Sequence, residues 1–225
     1  MKNKVLCIIP ARKGSKRLKD KNIQPLLGKP LILYTIDEAL KTKIFDRIVV
    51  TTDSDKIKSL ALSKGVEVID RPKKLSGDKA KIESAVFHVL GKVGKDFDFI
   101  VLLQPTSPLR ESVDIVRAFN KILRKKADFL VSVTDFVKPL KWLLSRKGFY
   151  FSFYFHKGFR KKLFLPNGAI FIAKLKAFLK EKTFYGKRLI TYYMPREKSV
   201  DIDTVYDLKY AELILKIKNE FKKPN

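Results

Sequence analysis

Short apolar runs alternate with amphipathic stretches along the first 135 residues. Val5 to Ile9 is continuously apolar and closes on Pro10 and a Gly- and Lys-rich stretch, the pattern of a strand buried on both faces that feeds a loop. A helix is predicted from Lys29-Pro30 to about Leu40, with Pro in a tolerated first-turn position and Leu33, Ile36, Ala39 and Leu40 on one face. Arg47 to Thr51 is rich in β-branched residues and predicts a strand. The helix after it is capped by Ser54 or Asp55, aligns Ile57, Leu60 and Ala61, and stops near Gly65. Val66 to Ile69, Phe99 to Leu103 and Phe129 to Val133 predict further strands, and Ile82 to Val93 and Val113 to Leu123 further helices. Strands alternating with helices imply an α/β fold with a mostly parallel sheet covered on both faces.

After about Asp135 the rhythm breaks. Trp142 to Leu165 alternates aromatics with Lys, Arg and Gly and has no helical period, as in an inserted lobe of short strands. Its aromatics (Phe149, Tyr150, Phe151, Phe153, Tyr154, Phe155) form the kind of apolar patch that meets another surface. Regular patterning resumes with strands at Ala169 to Ala173 and Leu189 to Met194. A final helix follows from Thr204, with Val205, Leu208, Ala211 and Leu215 on one face. Residues 1–135 and 166–225 thus read as one α/β domain interrupted by a lobe at 136–165, and 222–225 as a frayed tail.

Composition narrows the function classes. A chain of 225 residues with 45% hydrophobic content builds one substantial core, and its charge of +26 favours polyanionic partners. Nucleic acid is one such class, but no helix-turn-helix, zinc-finger spacing or RNP-type motif is present, and the cations are scattered over most helices. A single cysteine, Cys7, makes no intrachain disulfide. The apolar start is too short for a signal peptide, and no stretch has the length of a membrane span, so a cytoplasmic protein is expected.

Three segments carry candidate chemistry. Pro10-Ala11-Arg12-Lys13-Gly14-Ser15-Lys16-Arg17, with Lys19, Lys21 and Asn22, follows the first strand. In an open α/β sheet, ligands bind beyond the carboxyl ends of the strands, and a cationic loop there suits a polyphosphate; the other reading is a solvated basic loop. The spacing matches neither GxxxxGK[ST] nor GxGxxG. Asp201-Ile202-Asp203 places two carboxylates at i and i+2 of an extended segment, where they can share Mg²⁺, although Asp203 is equally placed to cap the last helix. Gln104 to Arg110 reads as a rigid polar loop on the same sheet edge, either contacting a base or sugar or serving as a plain turn. Neither His88 nor His156 has partners for a triad.

IPARKGSKRLKDKNI at 9–23, FDRIVVTTDS at 45–54, RP at 71–72, LLQPTSPLR at 102–110, PNGAIFI at 166–172 and SVDIDT at 199–204 together resemble the acylneuraminate cytidylyltransferases. The resemblance implies a Rossmann-like nucleotidyltransferase sandwich of three layers with an inserted dimerisation lobe. The implied reaction joins CTP to a nine-carbon 2-keto acid sugar of the sialic, legionaminic or pseudaminic type, with Mg²⁺, and releases pyrophosphate. By position, the resemblance assigns Arg12, Ser15, Lys16, Lys21, Asn22 and Arg71 to the nucleotide, and Gln104 to both nucleotide and sugar. It assigns Lys141, Asn167, Phe184 and Tyr185 to the sugar, Asp201 and Asp203 to the metal, and catalysis to Arg12, Lys21 and Asp203. It also implies a homodimer through 136–165.

Three positions depart from the family pattern. Lys13 stands where Gly is common, Ile82 where a small hydroxyl residue touches the base, and Leu165 where Arg precedes PNGA. The last change leaves Arg160 or Lys157 to meet the sugar carboxylate. A 3-deoxy-manno-octulosonate cytidylyltransferase is the alternative enzyme reading, which SKRLKDKN and SVDIDT disfavour.

Overall fold

The computed structural model describes residues 3–77, 80–136, 144–147, 150–153 and 163–221. Its elements begin with β1 (Val5–Pro10), the short pair β2 (Pro25–Leu26) and β3 (Lys29–Pro30), α1 (Leu31–Thr42), β4 (Arg47–Thr52), α2 (Asp55–Leu62) and β5 (Glu67–Asp70). Then come α3 (Ile82–Val93), β6 (Phe99–Leu102), α4 (Ser112–Lys125), β7 (Phe129–Asp135), the pair β8 (Leu144–Lys147) and β9 (Tyr150–Phe153), and β10 (Phe164–Lys174). The chain continues through α5 (Leu175–Glu181), β11 (Leu189–Tyr193) and α6 (Val205–Glu220).

The main sheet has the order β11-β7-β10-β6-β1-β4-β5. Only β10 runs against its neighbours, β6 and β7. β1 is buried along its whole length and its side chains alternate between two cores, the basis of the three-layer sandwich. Cys7 and Ile9 join α1, α2 and α4 on one face, while Leu6 and Ile8 join α3 and α5 on the other. A third cluster, with Leu31, Leu109, Ile202, Leu208 and Ala211, fastens α6 beside the loops at one end of the sheet.

Several boundaries differ from the sequence reading. α1 starts after Pro30, which instead pairs in β3, and it runs on to Thr42. β10 starts at Phe164, five residues before the predicted strand, because Phe164 and Leu165 pair with Asp135 and Thr134 of β7. α5 is too short for a period to show; its Leu175 and Phe178 are the two contacts that hold it. On α6, Leu208 and Ala211 are buried as expected, but Val205 at the first turn is exposed, as are Tyr206, Tyr210 and Leu213.

At 136–165, β8 and β9 pair antiparallel as a two-stranded sheet of their own. Of its aromatics, Phe149, Tyr154 and Phe155 lie outside the described residues, as do Lys141, Lys157 and Arg160.

An ion network ties the start of α4 to α6 and to the turn before the Asp201 segment. Lys198 reaches Glu111 at 2.5 Å and Asp114 at 3.1 Å, and Lys218 also pairs with Glu111. Partial burial opposes ionisation of Glu111, but the two lysine hydrogen bonds prevail and hold its carboxyl down at about 2. A carboxylate whose pKa is lowered on folding stabilises the protein above its unfolded pKa, and this contribution fades as pH falls through the folded value. Glu111→Gln should therefore lower the thermal midpoint at neutral pH by ~2–4 °C. Variant and parent should converge as pH falls from about 4.5 toward 2. Calorimetry across that range checks both the size and the direction.

Candidate active site

The carboxyl ends of β1, β4, β5 and β6 open on one side of the sheet, and a cleft lies there. It is lined by Arg12, Ser15, Lys21 and Asn22 after β1, by Arg71 after β5, by Gln104 and Thr106 after β6, and by Asp201 and Asp203 before α6. Because β10 is antiparallel, its N-terminal half reaches the same side and brings Gly168 beside Gln104.

The loop after β1 is held by its own polar groups. Ala11 N–H donates to the Thr51 carbonyl at 3.0 Å, and Lys13 N–H donates to Asp53 Oδ1 at 2.7 Å. Asn22, 8% exposed, donates from Nδ2 to the Arg12 carbonyl at 3.0 Å and so closes the loop on itself. Arg12 Nη1 donates to the Ser76 carbonyl at 3.2 Å, which links the loop to the segment after β5. Arg71 donates to the Thr51 carbonyl at 2.9 Å; burial pushes its pKa down to about 10, against the pull of Asp53, and it stays charged at neutral pH. Leu75, Ala80, Ile82 and Ala85 give the cleft an apolar wall.

Asp201 and Asp203 both face the cleft, and Ile202 between them is anchored in the third core cluster. Burial, followed by the Asp203 charge, raises the Asp201 pKa against a hydrogen bond from the Thr106 hydroxyl. Asp203 Oδ1 accepts from Lys21 at 2.9 Å and Oδ2 from Arg17 at 2.6 Å. Asp203 does not cap α6. Thr204 is the N-cap: its hydroxyl accepts from the Asp207 N–H at 3.3 Å, and the Asp207 carboxylate accepts from the Thr204 N–H at 2.7 Å, a capping box. The two aspartates present hard oxygen donors, and no group of three or more His, Cys, Asp or Glu among the described residues could hold a cation by protein ligands alone. That donor set fits Mg²⁺, which takes one or two carboxylates and completes its shell with water and substrate phosphate oxygens.

Other expected residues lie further out. Lys16 is exposed and does not line the cleft. Asn167 is 6% exposed and spends its amide internally, accepting from Ser132 at 2.6 Å and donating to Ser199 at 2.8 Å. Phe184 is 1% exposed, packed on Phe171 and Phe178, whereas neighbouring Tyr185 is half exposed. Neither Phe184 nor Tyr185 lines the cleft.

Sequence reasoning named Arg17, Asp53, Thr106 and Arg110 only as members of their motifs and gave none of them an individual role. Arg110 is fully buried, donates to the carbonyls of Gln104 at 3.2 Å and Ala169 at 2.8 Å, and reaches the Thr35 hydroxyl at 2.7 Å. Its position in LLQPTSPLR, after an apolar strand, was the available signal.

The family model described as Cytidylyltransferase matches residues 6–214. The chain is 38% identical over 229 residues to N-acylneuraminate cytidylyltransferase of Escherichia coli O18:K1:H7, covering 99% of this chain but 54% of that protein. It spans about half the length of such N-acylneuraminate relatives. It is 35% identical to pseudaminic acid cytidylyltransferase of Campylobacter jejuni, covering 98% of this chain and 99% of that one. It is 33% identical to the CMP-N,N'-diacetyllegionaminic acid synthase of Legionella pneumophila, covering 96% and 98%. Among solved structures, a CMP:2-keto-3-deoxy-manno-octonic acid synthetase complexed with CTP superposes with a TM-score of 0.73 at 16% identity, covering 96% of this chain and 99% of that one. With these sequence matches and the mostly parallel sheet behind its cationic cleft, the chain belongs to the cytidylyltransferase family.

Proposed function

We propose that the chain transfers a cytidylyl group from CTP to a nine-carbon 2-keto acid sugar and releases pyrophosphate. The observation that carries this reading is the convergence of Arg12, Lys21 and Arg71 with Asp201 and Asp203 in one cleft beyond the strand ends. The sugar's anomeric hydroxyl attacks the α-phosphorus of CTP; a new O–P bond forms, the bond to the β-phosphate oxygen breaks, and the hydroxyl proton is lost. Negative charge is redistributed among oxygens of an already charged group, so cations fixed in the cleft lower the barrier more than they tighten binding.

Arg12 and Lys21 meet the triphosphate, and Asn22 holds the loop that carries them. Ser15 adds a hydroxyl donor and Lys16 a cation at the rim. Arg71 and the wall of Leu75, Ala80 and Ile82 fit a planar base. Asp201 and Asp203 hold Mg²⁺, which supplies electrostatic stabilisation of the phosphate oxygens. Gln104 stands between nucleotide and sugar, with Tyr185 and the lobe cations Lys141 and Arg160 on the sugar side. The aromatic lobe at 136–165 pairs two copies into a homodimer, and a cytoplasmic location suits an enzyme fed by CTP.

Pyrophosphate release measured with Mg²⁺, a panel of nonulosonic acids and each nucleoside triphosphate should show CTP preferred, with at least one acid accepted. Asp203→Asn should lower this turnover by about 10²- to 10³-fold. Any fall in its thermal midpoint should be no larger than that of Glu111→Gln, because Thr204 makes the α6 cap and only the pairs with Lys21 and Arg17 are weakened. Equal use of ATP, or near-normal turnover of Asp203→Asn, counts against the reading.

Light scattering at micromolar concentration should give twice the chain mass of 26.0 kDa. A single-chain mass would remove the dimer.

Gly168 holds a φ of +75°, and a Cβ there would stand 3.0 Å from Gln104 Oε1. Gly168→Ala should therefore displace the carboxamide and cut turnover by roughly tenfold, with a left-handed strain of ~1–2 kcal/mol lowering the thermal midpoint as well. Parallel kinetics and calorimetry check the pair of effects.

A further inference from the structure

We propose that Arg17 occupies the place of the divalent cation at Asp203 in the metal-free enzyme, and that this exchange sets how tightly the site takes its metal. The inference rests on the reading of Asp201 and Asp203 as metal ligands.

Both oxygens of Asp203 are engaged, and by different kinds of partner. Lys21 holds Oδ1 at 2.9 Å from inside the cleft, with its side chain 16% exposed. Arg17 holds Oδ2 at 2.6 Å from outside; its side chain is 68% exposed and it does not line the cleft. Lys21 is thus a built part of the site, whereas Arg17 is a tethered cation that reaches in from solvent. Among the described residues the Arg17 guanidinium hydrogen-bonds Asp203, and the nearby Asp207 carboxylate adds to the local field that draws it.

Two carboxylates facing one cleft repel each other, so a conformation with Asp203 turned into the cleft needs a cation beside it. Lys21 meets part of that need from inside the cleft and Arg17 the rest from the solvent side. For Asp203 to offer Oδ2 to a divalent ion, Arg17 would have to leave it, because two cations at one carboxylate oxygen repel strongly once partly desolvated. Eviction costs little, since an exposed pair is weakly held. Asp203 is therefore kept oriented and neutralised in both states, and the freed guanidinium is left next to the phosphate-facing loop of Arg12 and Ser15. Arg17 is on this view a positioning residue that competes with the metal, with no contact to the reacting atoms required.

Titration of the full chain with Mn²⁺, without nucleotide, tests this by the electron paramagnetic resonance signal of the free ion. Arg17→Gln should bind Mn²⁺ roughly three- to tenfold more tightly than the parent. Arg17→Lys, which keeps the charge, should stay near the parent. The double variant Arg17→Gln/Asp203→Asn should bind no better than Asp203→Asn alone, since the effect acts only through that carboxylate. Equal or weaker Mn²⁺ affinity in Arg17→Gln, while Asp203→Asn still loses the ion, overturns the role of Arg17 and leaves the metal reading standing. If Asp203→Asn binds Mn²⁺ as the parent does, or if no protein binds it at millimolar concentration, both the metal reading and this inference fail.

Discussion

A guanidinium sealed in the protein interior fixes the geometry of the cleft. Among the described residues Arg110 bonds to carbonyl and hydroxyl oxygens, and burial pushes its pKa down to about 10, so it carries its charge at neutral pH. Burying an unpaired charge costs several kcal/mol unless carbonyl and hydroxyl dipoles surround it. Here the dipoles come from Gln104, Ala169 and Thr35, which belong to three separate segments of the chain. Removing any of them strands the charge, so the loop after β6 and the start of β10 are held at a fixed separation. Gln104 and Gly168 are neighbours because of it.

Around this anchor the electrostatics divide by location. The carboxylates near the cleft are all engaged: Asp53 by a backbone N–H, Asp201 by Thr106, Asp203 by two cations and Asp207 by the α6 cap. Arg12 and Arg71 line the cleft and hydrogen-bond the carbonyls of Ser76 and Thr51, while Lys21 is shared with Asp203. The chain charge of +26 adds a long-range attraction for any polyanion, strongest at low ionic strength. This attraction raises encounter rates without choosing between nucleotides, which is left to the apolar wall and the fixed donors.

Much of this was legible in the sequence, for identifiable reasons. Strands buried on both faces announce themselves as apolar runs, so β1, β4, β6 and β7 were readable, and helices of three turns show their period. Strand direction leaves no such trace. Nothing in PNGAIFI says that β10 runs backwards, yet that reversal is what carries Gly168 to the cleft. Asp203 was ambiguous because Asp and Thr both cap helices; only the Thr204–Asp207 exchange decides it. Phe184 read as a candidate sugar platform because an aromatic pair has the same composition in a core as at a surface. Arg17, Thr106 and Arg110 act through contacts 186, 95 and 59 positions away in the chain, which local pattern does not reach.

The reversed strand also shapes how the molecule can change. β7 ends at Asp135 and β10 starts at Phe164, side by side, and Phe136 N–H donates to the Leu163 carbonyl at 3.1 Å. Whatever lies between these two points leaves and re-enters the sheet through a single closed gate. For such a closure, doubling the enclosed length adds only about 0.6 kcal/mol of entropy cost to the host. The enclosed segment is thus a cassette: it can lengthen, shorten or be exchanged with little effect on the stability of the sheet. The sheet and the segment that it encloses can then diverge independently in length and sequence.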